Sequence, residues 1–418
     1  MRILFAVIPL PSHVFTSIPL ARALQGAGHD VRFASTPNAQ RTITDLGMHA
    51  VPVGEPLDKS QELLEESAEP VDIALDPDTP DAWEPVRDAL LRDVVTDYLA
   101  PRPAGHRSVL DDLVAYCRGW RPELVIWDPL LLPAAVAARA CGAAHGRLLW
   151  AVDTIGWTRT RYVEQSLQRG GTPADDPWVQ ALLPTCERFG LPFTEDLITG
   201  QWSVDTVPER MRLAGDHTYL PMRYVPFNGG ATVPAWLQSP PERPRVCLTW
   251  GGTARAVTER ESTVALPTLL EAVSGLDIEV VATLHADQLS QVEKIPDNVR
   301  AVEYIPLTML LPTCSAVIHQ GGDSTFAGAI AGGLPQLVNP APKWGEKYVA
   351  RYLERRGAGV VLHDRDASAA QVRDQLARIL AEPSFRDAAT VLHDEMMATP
   401  TPHDLVPLLE NLVVRHRR

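Results

Sequence analysis

The sequence predicts an α/β protein with two doubly wound domains, because buried strand patterns alternate with helical patterns in both halves of the chain. Residues 3–8 are apolar without alternation, which is typical of a strand covered on both faces. A helical pattern follows over 14–27, and the next strand is predicted at 31–35. Such a unit requires a right-handed crossover and a parallel sheet. A connector rich in proline and glycine, 226–244, separates the two halves.

Further elements follow the same alternation along the chain. In the first half they are strands at 51–53, 124–127 and 146–150 and a helix at 131–141. In the second half they are strands at 246–249, 278–283, 299–304, 316–319, 335–338 and 359–362, with helices at 262–274 and over most of 369–415. The acidic, proline-punctuated segment 55–105 predicts a helical insertion with mobile loops. We therefore expect domains at 1–225 and 245–395, joined by the linker, and a C-terminal helix at 396–418 that packs back toward the first domain.

Composition narrows the functional class. A chain of 418 residues exceeds one ordinary core, and its net charge of −14 argues against a nucleic-acid partner. The apolar run 130–144 contains Pro133 and Arg139, which argues against a membrane span. Five scattered cysteines without metal or redox spacing predict buried thiols in a cytoplasmic protein.

The segment 315–325 carries the most specific local pattern. A short apolar strand ends at His319, and two glycines, Gly321 and Gly322, lead into Asp323, Ser324 and Thr325 before an apolar helix. Glycines permit close backbone approach, the three polar residues can cap a helix, and free N–H groups at a helix start bind anions. The pattern suits a diphosphate, although an ordinary strand-to-helix turn with a Ser/Thr cap accounts for it equally well.

Two polar residues in the first half follow neighbouring strands. His13 lies in the loop after the first strand, and Asp128 follows the strand at 124–127. The carboxyl ends of parallel strands share one rim, so the two side chains are predicted to meet. Asp128 would then hold the imidazole in one tautomer, with His13 as general base. The alternative is a solvated loop histidine and an aspartate that forms a turn before Pro129.

In the second half, the glycine loop 251–253 and the segment 319–325 both follow strands and are expected to clamp a diphosphate. Neither contains the dinucleotide fingerprint or the phosphate-loop lysine, which weighs against a dehydrogenase and an NTPase. A nucleophile elbow and metal-ligand spacing are also absent from the sequence. We therefore expect neither a metal nor a cofactor.

These motifs resemble those of the GT-B nucleotide-sugar glycosyltransferases of family 1, and more narrowly the antibiotic glycosyltransferases that transfer deoxysugars to polyketides. The resemblance spans nearly the whole chain. Its acceptor side is the run from Pro11-Ser-His13 to Ala-Gly-His29. Its donor signature joins Tyr304-Ile-Pro306 to His319-Gln-Gly-Gly322.

Other stretches resemble the macrolide and anthracycline subgroup that transfers aminodeoxysugars. They are 120–129, Gln201-Trp202, 222–229 and 295–299. Several members of that subgroup require an auxiliary protein that looks like a cytochrome P450 without its haem ligand. The resemblance implies such a partner here; a homodimer is a further hypothesis.

The resemblance also implies roles for individual residues, within two Rossmann-like domains that face each other across a cleft. His13 would be the catalytic base, Asp128 its partner, and Ile305 would hold the pyrimidine through its main chain. The diphosphate would be surrounded by Thr249, Gly251, Thr253, His319, Gly321, Gly322, Asp323, Ser324 and Thr325. Asp323-Ser324 replaces the usual x-Gly, which makes the loop less permissive. The Asp-Gln pair that grips hexose hydroxyls aligns near Trp344, Gly345 and Glu346, which fits a deoxygenated sugar and places Glu346 toward an amino group.

The resulting prediction is an inverting, metal-independent glycosyltransferase that uses a dTDP-deoxysugar as co-substrate and a polyketide or macrolide hydroxyl as acceptor. Trp83, Trp150 and Trp157 are expected to line the acceptor pocket, although ordinary core packing explains most such aromatics. Three alternatives stay open. They are C-glycosylation of an aromatic polyketide, a nucleotide-sugar 2-epimerase, and a non-catalytic subunit that binds a nucleotide sugar.

Overall fold

The structure is a computed structural model of the chain. It describes residues 1–57, 75–79, 81–100, 102–103, 105–169, 175–251, 263–290, 292–340 and 345–417. The chain forms two compact units. The first holds residues 1–57 and 76–223 together with the C-terminal stretch from Pro400, and the second holds Leu75 and Tyr224–Thr399. Thr253 and Trp344, predicted to contact the donor, lie outside the described residues.

The first unit is built on a parallel seven-stranded sheet of order β3-β2-β1-β4-β5-β6-β7. The strands are β1 (Arg2–Ala6), β2 (Asp30–Ser35), β3 (His49–Pro52), β4 (Leu124–Trp127), β5 (Ala144–Leu149), β6 (Ser203–Asp205) and β7 (Tyr219–Pro221). Its described helices are α1 (Pro11–Gly26), α2 (Gln40–Asp45), α3 (Trp83–Val94), α4 (Val109–Trp120), α5 (Pro133–Cys141), α6 (Thr154–Arg169), α7 (Pro177–Phe189) and α8 (Asp196–Thr199).

The second unit has a parallel six-stranded sheet of order β10-β9-β8-β11-β12-β13. Its strands are β8 (Arg245–Thr249), β9 (Glu279–Thr283), β10 (Val299–Val302), β11 (Ala316–His319), β12 (Gln336–Val338) and β13 (Gly359–Val361). The described helices are α9 (Leu266–Val273), α10 (Ala286–Leu289), α11 (Leu307–Leu310), α12 (Asp323–Ala331), α13 (Glu346–Arg355), α14 (Ala369–Ala381) and α15 (Pro383–Met397). The last helix, α16 (Pro402–His416), belongs to the first unit.

Both faces of the second sheet are buried, which explains its unbroken apolar strands. Along β8, Val246 and Leu248 enter one apolar cluster, while Cys247 enters the cluster on the opposite side. Successive side chains of a strand point to opposite faces, so a strand covered on both sides needs apolar residues at every position. The prediction of two doubly wound α/β domains is confirmed.

Each sheet reverses its strand order at one place, between β1 and β4 in the first unit and between β8 and β11 in the second. In doubly wound folds, ligands bind outside the carboxyl ends of the strands at such a switch point. The residues that follow β1 and β4 include His13 and Asp128. Those that follow β8 and β11 include Gly251 and the segment 319–325. The topology therefore places both predicted polar groups where such folds bind ligands.

Several predicted boundaries were wrong. His13 does not lie in a loop, because α1 begins at Pro11, and proline is well suited to the first helical position. The fifth strand begins two residues earlier than predicted, at Ala144. β6 and β7 were missed, since each has only three residues and shows no clear apolar run. In the predicted insertion 55–105, the structure describes a helix over Trp83–Val94, while 58–74 lie outside the described residues.

Candidate active site

His13 and Asp128 are in direct contact at the switch point of the first unit. The distance from Nδ1 of His13 to Oδ2 of Asp128 is 2.6 Å, and the two residues are only 7% and 4% exposed. Parallel pairing of β1 with β4 sets Ala6 opposite Trp127, so Asp128 emerges beside the turn that leads into α1. The backbone N–H of Asp128 donates to the carbonyl of Ala6 at 2.9 Å, which holds the carboxylate at this place.

This contact defines the tautomer of the imidazole. An ionised carboxylate only accepts hydrogen bonds, so Nδ1 of His13 carries the proton and donates it to Asp128. Nε2 is then left with a lone pair that can accept a proton. The other carboxylate oxygen of Asp128 accepts from the N–H of Leu130 at 3.0 Å, which fixes the orientation of the carboxylate. The pair has the arrangement of a histidine base and its orienting acid.

The three tryptophans predicted to line an acceptor pocket have different surroundings. Trp83 and Trp157 are 4% and 2% exposed, so they offer almost no surface to a ligand in this structure. Trp83 lies edge-on to Tyr162, with ring centroids 6.4 Å apart. Trp150 follows β5 and packs against the imidazole of His13, with ring centroids 4.3 Å apart. Their role in acceptor binding stays a prediction.

A buried ionic network connects the two ends of the segment that carries Trp150. The guanidinium of Arg147 is fully buried and pairs with both carboxylate oxygens of Asp153. Asp153 also accepts from the hydroxyl of Tyr219 at 3.0 Å and from the N–H of Gly156 at 2.8 Å, at the start of α6. Burial alone would raise the pKa of the Asp153 carboxyl, but the charge of Arg147 holds that pKa below its ordinary value. The network anchors the connection between β5 and α6.

In the second unit, His319 ends β11 and is 1% exposed. Its Nδ1 accepts a hydrogen bond from the N–H of Gly321 at 3.0 Å, and its Nε2 donates to Oε1 of Gln336 at 2.8 Å. Burial lowers the pKa of His319 to about 4, so the ring is neutral at neutral pH. With both nitrogens engaged, His319 shapes the loop, and a direct contact to a diphosphate would first have to break one of these bonds.

The loop after His319 exposes backbone donors at the start of α12. Gly322 occupies the N-cap position, so none of the three predicted polar residues caps this helix. Among the described residues, the N–H groups of Gly322 and Ser324 have no acceptor. Free N–H groups at the positive end of a helix attract anions. The nine-residue helix therefore begins with backbone donors suited to an anion, and diphosphate binding at this loop stays a prediction.

Two other predicted segments converge on this loop. A Cβ placed on Gly251 would lie 3.0 Å from Nε2 of Gln320 and 3.8 Å from Oγ1 of Thr325. Gly321 has a φ of +96°, and a Cβ there would lie 3.1 Å from the carbonyl oxygen of Glu346. Glycine is favoured at both positions because Gly251 has a φ of +71°, and Gly321 combines a positive φ with a close backbone neighbour. Segments 249–251, 319–325 and 345–346 meet at one edge of the second sheet.

Ile305 and Asp323 show features relevant to a nucleotide. The side chain of Ile305 is buried in an apolar cluster, and within the described part of the chain its N–H and C=O have no hydrogen-bond partner. Both main-chain groups are therefore available to pair with a base.

Asp323 begins α12, and burial raises the pKa of its carboxyl to about 7, although its own N–H partly offsets that effect.

Comparison with known protein families identifies the family to which this chain belongs. Residues 22–251 match the family described as Erythromycin biosynthesis protein CIII-like, N-terminal domain, and residues 267–412 match the corresponding C-terminal domain. The chain belongs to this CIII-like family.

Full-length relatives of this CIII-like protein are named glycosyltransferases. The aclacinomycin-T 2-deoxy-L-fucose transferase of Streptomyces galilaeus is 43% identical, over 100% of this chain and 97% of that protein. The 10-deoxymethynolide desosaminyltransferase of Streptomyces venezuelae is 39% identical, over 100% and 98%. The crystal structure of glycosyltransferase VinC in complex with dTDP has a TM-score of 0.86 at 38% identity, over 99% and 100%. The predicted GT-B resemblance is confirmed, and the chain is a glycosyltransferase.

Two residues of this CIII-like glycosyltransferase escaped the sequence analysis. Gln336 is fully buried at the start of β12 and holds His319. Gln320 is 7% exposed, and its amide lies between Gly251 and Gly322. Gln336 could have been noticed because it is a polar residue at the start of the otherwise apolar strand 336–338. Gln320 stands within the donor signature, but its place between Gly251 and Gly322 depends on two separate loops, so the sequence assigned it no role.

Within the described ranges, the CIII-like chain contains no group of three or more histidine, cysteine, aspartate or glutamate side chains that could hold a metal ion. In the same ranges, none of its helices combines the length and the apolar character needed to span a bilayer.

Proposed function

We propose that this glycosyltransferase moves a deoxysugar, specifically an aminodeoxysugar, from a dTDP-sugar to a hydroxyl group of a polyketide or macrolide-type acceptor, with inversion at the anomeric carbon. The observation that carries the proposal is the buried 2.6 Å contact between His13 and Asp128 at a switch point of the fold. The names of the two relatives, which describe transfer of 2-deoxy-L-fucose and of a desosaminyl group, support the donor class. The complex of VinC with dTDP supports the choice of nucleotide.

On the acceptor side, Nε2 of His13 takes the proton of the acceptor hydroxyl as its oxygen attacks the anomeric carbon. The imidazolium that forms is stabilised by the carboxylate of Asp128. General-base catalysis of this kind contributes about 10²–10⁴ in rate. A single displacement by the acceptor oxygen inverts the configuration of the sugar.

On the donor side, the bond from the anomeric carbon to the diphosphate breaks, and negative charge grows on the leaving oxygen. The free N–H groups of Gly322 and Ser324 and the dipole of α12 would stabilise that charge. The main chain of Ile305 would hold the thymine base. Neutral His319 contributes by holding Gly321 and so the shape of the loop.

Glu346 is the residue that we assign to an amino group on the sugar. It begins α13, and its backbone packs against Gly321 in the donor loop. A charged hydrogen bond to an ammonium contributes about 1.5–3 kcal/mol. Glu346→Gln should therefore raise KM for an amino donor about tenfold or more and leave a neutral deoxysugar donor unaffected. Glu354→Gln, an exposed change on the same helix, is the control.

The base assignment is tested with His13→Ala, assayed by mass spectrometry against a panel of dTDP-deoxysugars and polyketide aglycones. We expect a loss of about 10²–10⁴ in kcat/KM, and a loss of about tenfold or more for Asp128→Asn, because an amide stabilises the imidazolium less well. His49→Ala, which removes an exposed histidine of β3, should leave the rate unchanged. Near-normal turnover by His13→Ala would reject the assignment.

The same assay separates the remaining alternatives. Epimerised nucleotide sugar formed without acceptor would indicate a 2-epimerase. A product that resists acid hydrolysis would indicate a C-glycoside. Calorimetric binding of dTDP without transfer under any condition would indicate a binding subunit. Each acceptor is tested with and without a candidate auxiliary protein, since the family resemblance implies one.

A further inference from the structure

Trp150 is in direct contact with the proposed base. Its indole and the imidazole of His13 have centroids 4.3 Å apart, with an angle of 51° between the ring planes. Its Nε1 is buried, and no described residue accepts a hydrogen bond from it. The described contact between the two side chains is therefore a ring contact and not a hydrogen bond.

The segment that carries Trp150 is held by buried hydrogen bonds and an ion pair. Three residues further along, Asp153 pairs with the buried guanidinium of Arg147, which itself lies on β5 and bonds to the hydroxyl of Ser203 at 2.8 and 3.0 Å. Asp153 also binds the N–H of Gly156 in the first turn of α6. Both ends of the connection are anchored, so the indole has a defined place beside the imidazole.

An imidazole held by one hydrogen bond can still swing about its side-chain bonds. The bond from Nδ1 of His13 to Asp128 restrains one edge of the ring. The indole of Trp150, whose centroid lies 4.3 Å from that of the imidazole, contacts the ring as well, so the two contacts together restrain the direction of Nε2. When His13 takes up a proton, the ring becomes a cation within 6 Å of an aromatic ring, which is the range of cation–π attraction.

We propose that Trp150 is a positioning residue for His13, which aligns the imidazole and stabilises the imidazolium formed during transfer. This proposal rests on the function proposed above and differs from the prediction that Trp150 lines the acceptor pocket. The two roles predict different kinetics. Loss of positioning lowers kcat, whereas loss of an acceptor contact raises the KM for the acceptor.

The test compares Trp150→Phe and Trp150→Leu with the wild-type enzyme. Phenylalanine keeps an aromatic face and removes the indole N–H, so kcat should stay within about threefold. Leucine removes the aromatic face, and kcat should fall by about 3- to 30-fold, as cation–π energies imply. The KM for the acceptor should change less than twofold in both variants. Trp178→Phe is the matched control, because Trp178 is also buried with an unpartnered Nε1 but lies in α7; it should change neither parameter.

A readout without turnover separates this proposal from the proposed function. The proton on Nδ1 of His13 is followed by NMR of histidine-labelled enzyme and assigned with His13→Ala. It should remain protected from exchange in Trp150→Phe and exchange at least severalfold faster in Trp150→Leu. Equal protection in both variants, or a raised acceptor KM with unchanged kcat, would overturn the positioning role. Active His13→Ala enzyme would overturn the base assignment instead.

Discussion

The N–H of Gly321 donates a hydrogen bond to Nδ1 of His319 across 3.0 Å, inside the loop proposed to bind the diphosphate. The other ring nitrogen of His319 donates to Gln336 on the neighbouring strand. A histidine that the family resemblance places beside the diphosphate is thus fully engaged within the protein. The hydrogen bond from Gly321 restrains the conformation of the loop, and the contribution that we propose for His319 is this restraint.

His319 should make stability depend on pH. Burial lowers its pKa to about 4 in the folded chain, against about 6.5 unfolded, so between these values only the unfolded chain takes up the proton. The contribution of the buried neutral His319 to the free energy of unfolding is therefore fully present above pH 6.5 and is lost as the pH falls toward 4. His319→Gln should be less stable at pH 7.5 but lose less stability than the wild type at pH 5, measured by urea unfolding. The exposed change His49→Gln should leave the dependence of the unfolding free energy on pH as in the wild type. The same dependence in His319→Gln as in the wild type would contradict the prediction.

Gly321→Ala should weaken dTDP binding by about tenfold or more and destabilise the chain by about 1–2 kcal/mol. The added Cβ would meet the carbonyl oxygen of Glu346 at 3.1 Å while the backbone keeps a φ of +96°. Gly275→Ala is the control, since its φ is +79° but nothing lies within 4 Å. That variant should lose stability through the backbone alone and bind dTDP normally. Calorimetry and thermal unfolding measure the two effects, and equal dTDP affinity in both variants would contradict the assignment.

Asp323 should make dTDP binding weaken as the pH rises through about 7. Its pKa is raised to about 7 by burial, so the carboxyl is neutral below that pH and anionic above it. An anion at the start of α12 repels a diphosphate, so the Kd of the wild type should increase severalfold between pH 6 and 8. Asp323→Asn should remove this change. The ionisation of dTDP itself affects both proteins equally, and Asp277→Asn, an exposed change in the same unit, should behave as the wild type.

Asp153→Asn should destabilise the first unit by about 3 kcal/mol or more, because it leaves the buried charge of Arg147 without its counter-ion. The matched change Asp45→Asn breaks the exposed pair between Arg41 and Asp45 and should cost less than about 0.5 kcal/mol. Urea unfolding monitored by tryptophan fluorescence measures the difference. Similar losses in the two variants would show that the pair is not the anchor described above.

The strands with long apolar runs were predictable, because a strand buried on both faces is apolar at nearly every position and so stands out in the sequence. β1, β4 and β8 illustrate this, and their parallel order placed His13 and Asp128 on one rim before any contact was known. β6 and β7 left no such pattern. Three residues carry too little periodicity, and both strands lie toward one edge of the sheet.

Apart from the pair of His13 and Asp128, the partners of the buried polar side chains were not predicted. Arg147 finds Ser203 56 residues away, and His319 finds Gln336 17 residues away, both through sheet register. A strand pattern states which residues are buried, but it does not state which distant side chain satisfies a buried charge or hydrogen bond. The start of α1 at Pro11, which brings His13 into the helix, was missed although proline at the first helical position is a signal in the sequence.

The sequence by itself determined the α/β class, the alternation of strands and helices in both halves and the residue types available at each strand end, because local apolar periodicity and glycine placement encode them. The sequence also predicted that His13 and Asp128 meet, while the tertiary structure decided the geometry of that contact and the other contacts of the site. The 2.6 Å distance from His13 to Asp128, the indole of Trp150 against that imidazole and the bond from His319 to Gln336 each join separate segments of the chain. Contacts of this kind arise from three-dimensional packing, which no single segment specifies.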